Sequence, residues 1–115
     1  MIYLTSEADL INSTGITGIY FYAQWLILHK KMKIMIDKVE QQNKNIKFYA
    51  IDIDSFPNLC KRFSIDSIPT VVITGAGGAE LSRIDGMPLT SGFRKIFADI
   101  YDSYLLNNKD KLCQT

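Results

Sequence analysis

The thiol and imidazole groups of this 115-residue chain, which are suited to catalysis or metal binding, belong to Cys60, Cys113 and the single histidine, His29. Rapid disulfide exchange needs a thiolate and usually a second thiol nearby that resolves the mixed disulfide. The two cysteines lie far apart in the sequence and match neither a zinc-ligand spacing nor a disulfide framework. The small number and wide spacing of the cysteines favour a protein of a reducing compartment and predict no metal site.

Each of these side chains also has a plainer interpretation. His29 could act as an acid, a base or a ligand, but no carboxylate lies near it in sequence, so a structural or incidental role is favoured. Cys60 follows Pro57 in a predicted short helix, away from the Trp25 segment, and is expected to pack as a small apolar residue rather than act as a redox thiol. Cys113 stands on a polar tail and could pair between molecules when oxidised.

The length and composition of the chain indicate a single domain with almost no net charge. The 13 basic and 12 acidic residues give a net charge of +1, which offers no reason to expect direct nucleic-acid binding or an anionic membrane partner. No apolar run approaches the ~20 residues that cross a bilayer, and the start lacks the features of a signal peptide. We therefore expect a soluble, cytoplasmic protein with a domain over residues 1–106 and a frayed tail over 107–115.

Hydrophobic periodicity predicts strands and helices in alternation. The predicted strands are 2–4, 19–23, 46–53, 70–74 and 80–84, with a glycine-rich hairpin at 75–78. The predicted helices begin at Ser6, Leu28, Pro57 and Thr90 or Ser91, and the last one runs to Leu105. Because parallel strands need helical crossovers, this order predicts a mixed sheet with helices on both faces.

One segment resembles the redox motif of a known family. Trp25-Leu26-Ile27-Leu28-His29-Lys30 is similar to the Trp-Cys-Gly-Pro-Cys-Lys active site of the thioredoxin family, with Leu26 and His29 at the two cysteine positions. Ile51-Asp52-Ile53-Asp54, Ser67-Ile68-Pro69-Thr70 and Gly86 match further family positions, so the likeness covers roughly residues 2–105. The resemblance implies the α/β thioredoxin fold, a central mixed β-sheet flanked by helices on both faces.

The resemblance also implies a loss of redox machinery. The family's buried acid corresponds to Tyr20 and its lysine partner to Ala50, so both are replaced along with the cysteines at 26 and 29. No catalytic residue and no cofactor are then expected, and whether the chain is an enzyme stays uncertain, with a non-enzyme favoured. The leading hypothesis is a redox-inactive protein that binds a protein or extended peptide. The alternative is a thioredoxin-type oxidoreductase with residual or altered thiol chemistry, using Cys60 or glutathione.

The binding face of the first hypothesis is taken from the resemblance. It gathers the motif loop, the residues around a cis-proline and the glycine loop before the last helix: Trp25, Leu26, Ile27, Ile68, Pro69, Gly86 and Met87. In a second interpretation, residues 26–28 fold inward and seal the groove. Lys30, Lys31 and Lys33 beside the motif form either a solvated helix face or a cluster that steers an acidic partner.

Overall fold

The computed structural model describes residues 1–11, 15–88, 92–100 and 102. Five strands lie in this part of the chain: β1 (Ile2–Tyr3), β2 (Thr17–Tyr22), β3 (Lys47–Asp52), β4 (Thr70–Thr74) and β5 (Glu80–Asp85). The helices described are α1 (Glu7–Ile11), α2 (His29–Gln42), α3 (Pro57–Arg62) and α4 (92–100), and a short 3-10 turn occupies Ala76–Gly78.

The strands form one mixed sheet in the order β1-β3-β2-β4-β5. β1, β3 and β2 are mutually parallel, whereas β4 runs antiparallel to β2 and to β5. All six residues of β2 are buried, because this strand is central and its sequence is almost wholly apolar and aromatic. The predicted mixed sheet is confirmed.

Helices cover both faces of the sheet. Side chains alternate along β2, so Tyr20 enters the same apolar cluster as Met32 and Phe97, while Phe21 enters another with Leu59. α2 and α4 therefore cover one face, and α1 and α3 cover the other. The prediction of an α/β fold with a sheet between helical layers is confirmed, and Met32 and Met35 are core residues as expected.

The element ends differ slightly from the sequence-based boundaries. β3 ends at Asp52 because the chain turns there, and Asp52 Oδ1 accepts a hydrogen bond of 2.9 Å from the Asp54 backbone N–H. The expected caps Thr90 and Ser91, the end of the last helix and the tail 107–115 lie outside the described residues. Of the helices that are described, none has the length and apolar character needed to span a bilayer.

Candidate functional site

The motif loop connects β2 to α2 in a tight turn. The Leu26 backbone N–H donates to the Ala23 carbonyl at 3.0 Å, and the His29 N–H donates to the Leu26 carbonyl at 3.2 Å. Leu26 is half-buried and packs against the core, whereas Ile27 is 93% exposed and Trp25 is 67% exposed. Within this segment Leu26 therefore faces inward and Ile27 faces outward.

His29 lies within a cluster of tyrosines. Its Nδ1 is hydrogen-bonded to the Tyr20 hydroxyl at 3.0 Å, and its Nε2 lies 3.4 Å from the Tyr3 hydroxyl. The His29 ring stacks on Tyr22 with ring centroids 4.5 Å apart. Burial, and then the charge of Lys33, lower the pKa of His29, and burial raises the pKa of Tyr20. These contacts connect the His29 ring to β1 and β2.

The cis-proline loop and the glycine loop meet at the edge of the site. The Ile68–Pro69 peptide bond is cis, and the Gly86 N–H donates to the Pro69 carbonyl at 2.8 Å. Gly86 has a φ of 81°, a left-handed conformation that glycine adopts without a Cβ clash. Met87 follows it and is 37% exposed. The structure thus brings together the predicted residues Ile68, Pro69 and Gly86.

Cys60 opens onto a groove that Trp25 and Ile68 also line. The groove has a volume of about 300 Å³ and is lined by Trp25, Ile53, Pro57, Cys60, Ile65, Asp66, Ser67 and Ile68. Two of the predicted site residues, Trp25 and Ile68, therefore share a groove with a thiol. The Cys60 S–H makes a long contact of 4.0 Å with the Ile53 carbonyl, and the residue is only partly buried.

This position corrects the expectation that Cys60 lies away from the motif. β2 and β3 are adjacent and parallel, so the loops after both strands leave the sheet at the same edge. The Ile53 N–H donates to the Tyr22 carbonyl at 2.9 Å, which fixes the two loops side by side. The parallel pairing of the two predicted strands was the signal in the sequence that could have found this proximity.

The electrostatic surroundings of Cys60 favour the thiol over the thiolate. Burial raises the pKa of Cys60, and the negative charges of Asp52 and then Asp54 raise it further. The thiol is consequently a slow nucleophile at neutral pH. No cluster of three or more potential metal-binding His, Cys, Asp or Glu residues occurs in the described part of the chain.

A second groove, of about 220 Å³, runs along α2. It is lined by Lys31, Ile34, Met35, Lys38 and Met87. The predicted site residues are thus divided, because Met87 borders this groove while Trp25 and Ile68 border the groove that contains Cys60.

Comparisons with known proteins agree with this architecture. A model of the Thioredoxin family matches residues 5–98. Mitochondrial thioredoxin-2 of Schizosaccharomyces pombe is 32% identical over 76 residues, which cover 66% of this chain and 56% of that protein. Thioredoxin-2 of Saccharomyces cerevisiae is 29% identical over 83 residues, which cover 70% of this chain and 79% of that protein. The chain therefore spans just over half of the first relative and more of the second.

A solved structure is similar over nearly the whole described fold. The crystal structure of oxidised mitochondrial thioredoxin 3 from Saccharomyces cerevisiae has a TM-score of 0.75 and 26% sequence identity, covering 86% of this chain and 94% of that one. Because this structure and one of the two relatives are mitochondrial, the cytoplasmic location stays a prediction.

These findings overturn the hypothesis of a redox-inactive binding module. The relatives are named thioredoxins, which are oxidoreductases, and the alternative of altered thiol chemistry agrees better with them. The structure agrees with that alternative in one respect, because the thiol of Cys60 lies in the groove lined by Trp25. By its sequence match and by its sheet topology, the chain belongs to the thioredoxin family.

Proposed function

We propose that this protein is a thioredoxin-type oxidoreductase with altered thiol chemistry, in which the single thiol of Cys60 exchanges with disulfides. The observation that carries the proposal is the shared groove of Cys60, Trp25 and Ile68. Leu26 and His29 stand at the two motif positions, so the proposed chemistry needs no cysteine pair there.

The exchange proceeds in three balanced steps. The Cys60 thiolate attacks one sulfur of a substrate disulfide, forms a mixed disulfide with it and releases the other sulfur as a thiolate. A low-molecular-weight thiol such as glutathione, as its thiolate, then attacks the substrate sulfur of the mixed disulfide. This second step returns the Cys60 thiolate and leaves a disulfide between glutathione and the substrate. In the third step the thiolate of a second glutathione attacks the glutathione sulfur of that disulfide, which forms oxidised glutathione and releases the substrate sulfur as a thiolate.

The proposed substrate is a disulfide in a protein or an extended peptide. Trp25 and Ile27 are largely exposed and offer an apolar surface to such a chain, while Ile68, which precedes the cis-proline Pro69, lines the same groove as Trp25. Gly86, whose N–H donates to the Pro69 carbonyl, completes the proposed contact face. The net charge of +1 gives no support to a nucleic-acid or membrane partner.

The raised pKa of Cys60 determines how the rate of disulfide exchange should depend on pH. Most molecules carry the neutral thiol at neutral pH, so exchange is slow there and accelerates as the pH rises toward the pKa of Cys60. A reducing compartment such as the cytoplasm keeps the thiol available between turnovers.

The test is turnover of a protein disulfide with each cysteine removed in turn. Reduction of insulin is followed with glutathione and glutathione reductase, using the wild type, Cys60→Ser and Cys113→Ser. The two variants make the same atomic change, so Cys113→Ser is the matched control. We expect Cys60→Ser to lose about tenfold or more of the rate above background and Cys113→Ser to retain the wild-type rate. Equal rates for wild type and Cys60→Ser would overturn the proposal.

A further inference from the structure

The groove along α2 combines exposed apolar side chains with positive charge. Ile34 is 52% exposed and Met87 is 37% exposed, although both are large hydrophobic residues, and the buried Met35 forms the floor between them. Exposed apolar side chains gathered around one concavity on a small domain are typical of a partner site. None of these residues lines the groove that contains Cys60.

Two lysines flank the exposed isoleucine. Lys31 and Lys38 both line the groove, seven residues apart on α2, which places their backbones about 10 Å apart along the helix axis. Lys33, on the neighbouring face of the helix, pairs with Asp37 at 3.5 Å. Within the described ranges, neither Lys31 nor Lys38 forms an ion pair. The ammonium groups of Lys31 and Lys38 are therefore available to pair with an external anion.

We propose that this groove docks an acidic amphipathic segment of a partner protein. Apolar side chains of that segment would cover Ile34, Met35 and Met87, and two carboxylates would pair with Lys31 and Lys38. The spacing of the lysines matches a helix with acidic residues at i and i+7 and apolar residues at i+3 and i+4 between them. The docking surface shares no residue with the Cys60 groove, so this proposal does not depend on the proposed thiol chemistry.

The probe is a pair of synthetic peptides. One is an alanine-based helix with Glu at i and i+7 and Leu at i+3 and i+4, and the other carries Lys in place of Glu. Amide chemical shifts of the protein are recorded during titration with each peptide. We expect the acidic peptide to bind about tenfold or more tightly than the basic one, more weakly at high salt, with the largest shifts around Ile34 and Met87.

Charge reversal at the groove identifies the surface. The Lys31→Glu/Lys38→Glu variant is expected to prefer the basic peptide, whereas Lys30→Glu/Lys44→Glu, which makes the same change of net charge at exposed positions outside the groove, keeps the wild-type preference. Ile34→Ser should weaken binding of the acidic peptide by removing apolar contact. Equal binding of the two peptides, no binding of the acidic one, or equal losses in both double variants would overturn the proposal.

Discussion

The Tyr20 hydroxyl lies 3.0 Å from Nδ1 of His29, and the two rings are parallel to within 3°. By the family resemblance, these are the positions of a buried acid and of the second active-site cysteine. In this chain a tyrosine and a histidine occupy them, and the two side chains are hydrogen-bonded to each other. Tyr20 and His29 thus form one structural unit that joins β2 to the first turn of α2.

Removal of the Tyr20 hydroxyl should destabilise the fold. Tyr20 is fully buried, and Tyr20→Phe leaves the ring in place while the His29 nitrogen loses its partner. We expect a loss of about 1 kcal/mol in the free energy of unfolding, measured with urea. Tyr22→Phe is the matched control, because within the described residues its hydroxyl has no hydrogen-bond partner. A Tyr20→Phe protein as stable as Tyr22→Phe would contradict this account.

His29 should make stability depend on pH. Its pKa is lower in the folded chain than in the unfolded chain, where it is about 6.5, so the unfolded state binds more protons in this range. The stability contributed by His29 is fully present above the unfolded pKa and is lost as the pH falls through the folded pKa. Urea unfolding at several pH values should therefore show a steeper acid loss for the wild type than for His29→Gln. Parallel pH profiles would be inconsistent with a lowered pKa.

Much of the fold follows from sequence pattern. The apolar run after Gly18 predicts a central buried strand, and β4 occupies the predicted residues 70–74. The spacing of Met32 and Met35 predicts the inner face of α2, and both are buried. These features depend on local periodicity, which a single sequence displays directly.

The site is less predictable because it depends on contacts between distant segments. The proximity of Cys60 to Trp25 arises from the pairing of β2 with β3, and the contact of Tyr20 with His29 joins β2 to the first residue of α2 across the motif loop. Leu26 and Ile27 are both apolar, so hydrophobicity alone does not distinguish the half-buried side chain from the exposed one.

Neutralising Asp52 should activate Cys60. After burial, the charge of Asp52 is the next cause of the raised pKa of this thiol. In a Cys113→Ser background, Asp52→Asn keeps the oxygen that accepts the Asp54 N–H but removes the charge. We expect alkylation of Cys60 by iodoacetamide near neutral pH to become about twofold or more faster.

Asp66→Asn provides the control for this prediction. Asp66 lines the same groove but is not among the causes of the raised pKa of Cys60. Its neutralisation should leave the alkylation rate near that of the parent. Identical rates for the parent and Asp52→Asn would show that the carboxylate does not act on the thiol.

Gly18 is required by close packing at the centre of the sheet. A Cβ at this position would lie 2.3 Å from the ring of Phe48, which is fully buried and packs against Phe97. Gly18→Ala should therefore cost about 1–3 kcal/mol of unfolding free energy. Gly92→Ala is the control, since nothing lies within 4 Å of its Cβ, and it should be neutral or stabilising by up to about 1 kcal/mol. Thermal unfolding that ranks the two variants in the opposite order would refute this packing argument.

The central claim is that Cys60 forms the mixed disulfide during turnover. The most direct measurement is a single turnover of a disulfide-linked peptide substrate, quenched with acid and analysed by intact mass and by proteolytic mapping. The account predicts a transient adduct of one peptide strand on Cys60, which disappears when glutathione is present. Reduction of the substrate with no adduct on Cys60 would contradict the account.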